Sequence, residues 1–299
     1  MRNHPNGTHT SLLCLIAALC IALLVSEGAE AQQQTPPPAT PQAPAAAPPP
    51  QSSVPDYPDP RTFTIGILGW FTRQGSGPDL NTGRGASDIE TVPALGTPHQ
   101  SFGAEIYFPI SRTGELHLEG YLIKGTGNQF SKISTTPFSA VTYNPGDYLA
   151  TQYQIKMAKF YLDDLLYPHK FPVSRFRVKS LWEVQYLNIG TTIGLPLMPV
   201  DTSGNSTTSS GSRNIILPAF GAAAEYAIAP HFLFRLDGVG FGLHKRADIW
   251  DVSATLSYRH ERWEIQGGAK AFHFKTSPNS AEYLVATING GFVGFLWHW

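Results

Sequence analysis

From residue 61 to residue 299 the sequence is dominated by a two-residue alternation of polar and apolar side chains, with almost no helical periodicity. Successive side chains of a β-strand point to opposite faces, so this alternation predicts strands with one polar and one apolar face. Ten segments carry it: 61–73, 100–110, 115–126, 147–161, 174–190, 213–228, 232–243, 247–259, 262–275 and 282–299. The pattern predicts an all-β fold.

The connections between these segments alternate in length. Residues 111–114, 229–231 and 260–261 are short connections, whereas 74–99, 127–146 and 191–212 are long. Residues 162–173 form a connection of medium length, and 243–247 and 276–281 are modest. An antiparallel meander with its tight turns at one end fits this order, and an even strand count brings both termini to that end. We therefore predict a ten-stranded antiparallel up-and-down transmembrane β-barrel, with eight or twelve strands as alternatives.

The two faces of each segment indicate two different environments. Along 247–259, Trp250, Ala254 and Tyr258 share one face, while Asp251 and Arg259 share the other. The apolar faces carry small residues in the middle and Trp or Tyr near the ends, which is typical of a lipid-facing band with aromatic girdles. A soluble secreted β-barrel that carries a ligand has the same period with its apolar face inside, and it remains an alternative.

Composition excludes two other classes. Lys and Arg together number 21 against 22 Asp and Glu, so no net positive field favours nucleic acid as a partner. No long apolar run follows residue 25, which argues against a protein with several membrane-spanning helices.

The N-terminus has the order of a secretory signal peptide. Arg2 precedes an apolar run, and Ala29 and Ala31 form an Ala-x-Ala end, so we predict cleavage after residue 31. Both cysteines, Cys14 and Cys20, leave with residues 1–31, so the mature chain has no disulfide framework. Residues 32–60 are rich in Pro and Ala and predict a disordered periplasmic linker, which leaves 61–299 for the barrel.

Two stretches carry a resemblance to known proteins. Residues 220–237 combine a strand of small residues, a tight turn and a return strand with Arg235 and Asp237, and residues 292–299 alternate apolar residues up to a terminal Trp299. Both resemble small bacterial outer-membrane β-barrel proteins, the OmpA- and OmpX-like barrels, although that family more commonly ends in Phe. The resemblance implies an outer-membrane address, contact with outer-membrane lipid and lipopolysaccharide, and insertion by the barrel-assembly machinery. It also implies an assembly signal at Phe295, Trp297 and Trp299.

The inward face predicts a polar network in the lumen. Both signs of charge are interspersed in it, so internal ion pairs that plug the lumen are favoured over a path for small solutes. The predicted members are Glu105, His117, Glu119, Lys156, Arg177, Lys179, Glu183, Glu225, Arg235, Asp237, Asp251, Glu264 and Lys270. If the turn 229–231 is centred on Pro230, Glu225 lies opposite Arg235 on this face.

Catalytic patterns are weak in this sequence. His244, Asp248 and His273 lie around predicted rim loops without an Asp-x-His spacing, and His99 and Ser101 have a His-x-Ser spacing at a strand start. The histidines show no metal-ligand spacing, and there is no Gly-rich phosphate loop. We therefore predict no catalytic residue, metal or cofactor, and a structural or surface-interaction role with limited passive passage of small solutes. The alternative is an outer-membrane hydrolase, similar to a lipid A deacylase or a protease, that acts at the extracellular rim.

Overall fold

The computed structural model describes residues 62–73, 77–82, 89–92, 95–99, 101–131, 134, 136–139, 141–168, 175–196, 207–243, 247–276 and 282–299. The predicted signal peptide with its cleavage residues Ala29 and Ala31 lies outside these residues, and so does the predicted linker 32–60.

The described residues form one antiparallel sheet that closes on itself. Its ten barrel strands are β1 (Thr64–Thr72), β5 (Ser101–Pro109), β6 (Gly114–Phe130), β7 (Tyr148–Tyr167), β8 (Phe176–Gly194), β9 (Thr208–Ala229), β10 (Phe232–Leu243), β11 (Ala247–His260), β12 (Trp263–Lys275) and β13 (Glu282–His298). Each pairs with the next, and β13 returns to pair with β1, where Ile65 faces Trp297. The prediction of a ten-stranded up-and-down barrel is confirmed.

The predicted loops differ from the structure in three places. The long connection between β1 and β5 contains three short strands, β2 (Asp79–Thr82), β3 (Ile89–Val92) and β4 (Thr97–Pro98). The serines and threonines of 208–212, predicted to lie in a loop, pair as strand β9 with the end of β8. Strand β7 runs to Tyr167, six residues beyond its predicted end, so Asp163 is a strand residue. In the segment 208–212 backbone pairing overrides a composition of small polar residues that is typical of loops.

The tight turns lie at one end of the barrel, as predicted. The start of β1 and the end of β13 lie at the same end, where Thr64 pairs with His298. In the hairpin of β9 and β10, Glu225 lies directly opposite Arg235, which confirms the register predicted from the turn. A bulge between Phe232 and Leu233 absorbs the irregularity next to the turn, so the deeper pairs keep their alignment.

The outer surface of the barrel is apolar. Ile67, Phe102 and Val293 point outward with 66%, 69% and 53% of their surfaces exposed, while Thr255 and Asp251 point inward and are buried. A soluble barrel has the reverse polarity, because its core is the interior. At the turn end the outward aromatics form a girdle, which is typical of the interfacial position in a transmembrane barrel. Within the described ranges, no helix has the length and apolar character to cross a bilayer.

The lumen is divided into two halves of different chemistry. The half nearer the long connections, here the loop half, is filled by apolar side chains, most of them fully buried. Its members include Trp70, Ile123, Tyr153, Ile155, Leu187, Ile189, Phe272, Phe274 and Ile288. A Cβ at Gly125 would lie 2.3 Å from the Tyr153 ring, so glycine is needed there to let that ring pack flat on β6. The half nearer the tight turns, the turn half, contains the charged residues.

Segments of the long connections cover the loop half. Leu80 and Leu95 are buried against the apolar core, and Thr151 donates a hydrogen bond to the Leu95 carbonyl at 2.8 Å. The Tyr143 hydroxyl donates to the Ile193 carbonyl at 2.8 Å, and burial raises the pKa of this phenol above its ordinary value. The apolar core therefore continues past the barrel wall into a cap at the loop end.

Candidate functional site

The structure places the predicted network residues on the inner wall of the turn half, with one exception. Lys156 points outward and is exposed, so the prediction that it belongs to the lumen is wrong. The inward position is Lys159, which is buried with 4% of its surface exposed. Lys156 lies on the part of β7 beside the loop half, where the inward positions are apolar and the outward positions of the strand are polar. The assumption that charge marks the lumen side fails there.

Glu225 is the centre of the first group of ion pairs. Its carboxylate lies 2.7 Å from the Arg177 guanidinium and 3.3 Å from the Lys179 ammonium, and it accepts a hydrogen bond from Arg235 at 3.0 Å. Arg235 also contacts Asp237, at 3.2 Å. The predicted pair of Glu225 and Arg235 is therefore one contact in a group that joins β8, β9 and β10.

Asp163 connects this group to β6 and β7. Its carboxylate lies 2.9 Å from the Lys179 ammonium, 3.5 Å from Arg235 and 3.3 Å from the His117 ring. Glu115 lies 3.1 Å from Lys179. The His117 ring is held between the rings of Tyr107 and Tyr161, at centroid distances of 4.2 and 4.3 Å.

A second group surrounds Lys159 nearer the middle of the barrel. Lys159 donates to Asp251 and lies 3.6 Å from Glu119 and 3.9 Å from Glu183. Lys270 donates to Glu119 at 2.9 Å, and its ammonium lies 4.6 Å from the centre of the Tyr121 ring. The two lysines thus connect strands on opposite sides of the lumen, β6 and β7 with β11 and β12.

Two further carboxylates have mainly neutral partners. Glu105 accepts hydrogen bonds from Tyr107 and Gln266, both at 2.5 Å, and no ion pair of Glu105 is present among the described residues. Glu264 lies 3.1 Å from the His298 ring, whose other nitrogen bonds Thr64 at 2.8 Å.

These side chains surround a cavity of about 150 Å³. Eight carboxylates line the cavity, those of Glu105, Glu115, Glu119, Glu183, Glu225, Asp237, Asp251 and Glu264, and six cations line it, those of Lys159, Arg177, Lys179, Arg235, Arg259 and Lys270. With Asp163, which is buried beside the cavity, the turn half has nine carboxylates against six permanent cations in the described part of the chain. Burying unpaired carboxylates is costly, so this excess favours uptake of a cation or of protons.

Four important members of this site were not predicted from the sequence. Lys159, Asp163, Glu115 and Tyr107 all line or support the cavity, but only the inward parity of their strands could have indicated them. Asp163 was assigned to the connection 162–173 because the predicted strand ended at residue 161, whereas β7 continues to Tyr167.

The residues considered for a catalytic site at the rim differ in their contacts. His99 bonds the Thr126 hydroxyl at 2.9 Å, whereas Ser101 is buried and donates to the Trp70 carbonyl, so the His-x-Ser spacing does not form a pair in the structure. His273 bonds Asp248 at 3.0 Å and Thr287 at 2.7 Å. His244 lies outside the described residues.

The aromatic residues of the predicted assembly signal lie on the outer face of the closing strand. Phe295, Trp297 and Trp299 are exposed, and Trp297 and Trp299 contact each other at a ring distance of 6.3 Å. They belong to the girdle at the turn end.

Comparison with solved structures finds bacterial outer-membrane proteins. The outer membrane protease OmpT from Escherichia coli has 9% identity and a TM-score of 0.48 over 80% of this chain and 97% of that chain. Ail, the attachment invasion locus protein of Yersinia pestis, has 7% identity and a TM-score of 0.32 over 78% and 99%. An outer membrane channel from Pseudomonas putida F1 has 10% identity and a TM-score of 0.33 over 85% and 100%.

No protein-family model and no curated protein matches the sequence. A protease, an attachment protein and a channel are all among the similar structures, so the similarity distinguishes none of these functions. The closed antiparallel barrel, its apolar outer band and its charged interior are those of an outer-membrane β-barrel protein.

Proposed function

We propose that this protein is a closed, non-conducting outer-membrane barrel with a structural or surface-interaction role. One observation carries the proposal, namely that the loop half of the lumen is filled by buried apolar side chains such as Phe272, Phe274 and Ile155. A ten-stranded barrel is close to the size that side chains can fill, and ions do not cross a packed apolar layer.

The strands β7, β8 and β9 supply a surface for interaction. They have 20, 19 and 22 residues, whereas a membrane-crossing strand needs about 9–11. Their outward side chains become polar towards the loop end, where Asn188 donates to Asn214 at 2.6 Å. We expect this three-stranded ridge to stand beyond the bilayer and to be the surface that a partner meets.

Conductance across a planar bilayer tests the closed lumen. The purified full-length barrel should give no steady current steps, and liposomes that contain it should not swell in a small sugar. The triple substitution Trp70→Ala, Phe272→Ala and Phe274→Ala empties part of the loop half and serves as the control, because it should raise the current if the apolar layer is the barrier. Regular current steps from the unaltered protein would overturn the proposal and favour passage of small solutes.

The route to the membrane belongs to the same proposal. We infer export through the signal peptide 1–31, a periplasmic position for 32–60, and insertion by the barrel-assembly machinery through Phe295, Trp297 and Trp299. The exposed position of these three aromatics on the closing strand supports the last step. Fractionation with the outer membrane and a heat-dependent shift in gel mobility test this route.

A second candidate function, hydrolysis at the rim, is favoured by one observation. Asp248, His273 and Thr287 form a hydrogen-bonded chain on three adjacent strands, with the His273 ring stacked on Trp250 at 5.3 Å. An acid that orients a histidine beside a hydroxyl is the arrangement of an activated nucleophile. The site lies on the outer face, so its substrate would be an ester of a membrane lipid.

Hydrolysis of long-chain acyl esters by the folded protein tests this candidate. Activity should disappear in His273→Ala and Thr287→Ala and remain in His260→Ala, which removes an outward histidine at the opposite girdle. Absence of activity, or equal activity in the three variants, would exclude the hydrolase.

A further inference from the structure

Three potential metal ligands meet on β6 and β7 near the turn end. Glu115 and Asp163 lie directly opposite each other across the two strands, and His117 lies two residues further along β6. One ligand atom from each of the three residues lies within 4.8 Å of the other two. The group borders the cavity of the turn half, which Glu115 and His117 line.

Two carboxylates in a directly opposed cross-strand position repel each other, so this arrangement needs a cation beside them, and Lys179 supplies it in the structure. The His117 side chain is 3% exposed. Its Nε2 atom lies at ion-pair distance from both carboxylates, and its Nδ1 atom is buried without a hydrogen-bond partner in the described part of the chain. The Asp163 Oδ1 atom is also buried there without such a partner. A buried imidazole that points at two carboxylates, one of which keeps a buried oxygen without a hydrogen bond, is a potential ligand set for a cation.

The distances fit a metal ion. The His117 Nε2 atom lies 3.3 Å from Asp163 Oδ2 and 3.7 Å from Glu115 Oε2. A tetrahedral ion with bonds of about 2.0–2.2 Å separates its ligand atoms by about 3.4 Å. We propose that Glu115, His117 and Asp163 bind a first-row divalent metal ion that enters through the cavity of the turn half.

The ligand types define the class of ion. One imidazole with two carboxylates suits Zn²⁺, Co²⁺ or Mn²⁺, because these ions accept nitrogen and oxygen together. Mg²⁺ prefers oxygen ligands and keeps several waters, so it should bind poorly in this buried position.

Lys179 competes with the metal for the same oxygens. Its ammonium lies 2.9 Å from Asp163 and 3.1 Å from Glu115, so it now compensates the two carboxylates. It also lies 3.3 Å from Glu225, which offers it another partner when a metal displaces it. Metal affinity should therefore be limited by Lys179, and removing this lysine should strengthen binding.

Titration of the full-length folded barrel with Zn²⁺ alone tests the site. The wild-type protein should bind one ion, Lys179→Met should lower the dissociation constant at least tenfold, and His117→Gln should raise it at least tenfold. His298→Gln is the matched control, because it removes another buried lumen histidine, one that contacts Glu264, and it should bind as the wild type does. Mg²⁺ at the same concentration should not compete.

Spectroscopy of the wild-type protein tests the site even where a variant fails to fold. Histidine-labelled wild-type protein should show one imidazole resonance that shifts with Zn²⁺, and Co²⁺ should give the absorption bands of a low-symmetry site. Absence of binding by both the wild-type protein and Lys179→Met would overturn the proposal. Equal binding by His117→Gln and His298→Gln, or a shifted resonance that belongs to another histidine, would overturn it as well.

Discussion

The two halves of the lumen use the same inward positions of the same strands for opposite chemistry. On β7, the buried side chains of Ile155 and Met157 fill the loop half. Further along the same strand, those of Lys159 and Asp163 lie in the turn half. Apolar packing stabilises the loop half through burial alone and requires no particular partner. The turn half depends on partners at defined distances, because a buried charge is costly unless it is paired. Closure of the lumen by apolar packing and the specific pairing of its charges are therefore separate properties of this barrel.

The largest expected effect is failure of the whole barrel to assemble, which removes both halves of the lumen. Deletion of Trp297–Trp299 removes the end of the closing strand, where Trp297 pairs with Ile65 and Trp263. An unclosed barrel exposes unpaired amides to lipid, so membrane assembly should be abolished while secretion continues. Outer-membrane fractionation and heat-dependent gel mobility are the measurements, and a stable heat-modifiable barrel from the truncated chain would contradict the prediction.

The loop half should respond strongly to the loss of one side chain. Phe272→Ala removes a fully buried ring from the apolar core and should lower the free energy of unfolding by about 3–5 kcal/mol. Ile265→Ala, on the outer face of the same strand, is the control and should cost less, because its side chain contacts lipid in both variants. Urea unfolding in lipid vesicles measures both, and similar losses would show that the loop half is not a packed core.

Adjacent positions on β11 test the boundary between lipid and lumen. Ala254→Arg places a charge on the outer face between Leu236 and Ala269 and should cost about 2–4 kcal/mol near the midplane. Thr255→Arg points into the turn half, where carboxylates outnumber cations, and should cost less. Unfolding titrations of the two variants decide the matter, and equal losses would mean that the assigned faces are wrong.

The smallest expected effect is the coupling between one pair of charges in the turn half. A double-mutant cycle of Glu225→Gln and Arg235→Gln should give a coupling of about 0.5–3 kcal/mol, since the two groups lie 3.0 Å apart. Glu225→Gln should cost more than Arg235→Gln, because the Glu225 side chain is 3% exposed and that of Arg235 is 19% exposed, so the partners of Glu225 are left unpaired in a drier place. Additive losses in urea unfolding would contradict this register of contacts.

Local pattern was enough to predict the strand order and the faces. Alternation placed Trp250, Ala254 and Leu256 outward and Asp251 and Thr255 inward, and the structure agrees. The turn at Pro230 was enough to align Glu225 with Arg235, because a short hairpin leaves the register little freedom.

The site could be predicted only in part. Lys156 was assigned to the lumen because it is charged, yet it points outward where β7 borders the loop half. Asp163 was assigned to the predicted connection 162–173, although β7 continues through it to Tyr167.

Period and turn length act over a few residues, so they were sufficient to predict a barrel with two faces, its closing strand and the alignment of the hairpin at Pro230. Which inward residues meet across the lumen depends on the tertiary structure. Lys159 reaches Asp251, Lys270 reaches Glu119, and Lys179 lies between Asp163 and Glu225 only because closure brings distant strands to one cavity. The division into an apolar and a charged half also depends on closure, since the height of a residue in the lumen follows from the stagger of all ten strands.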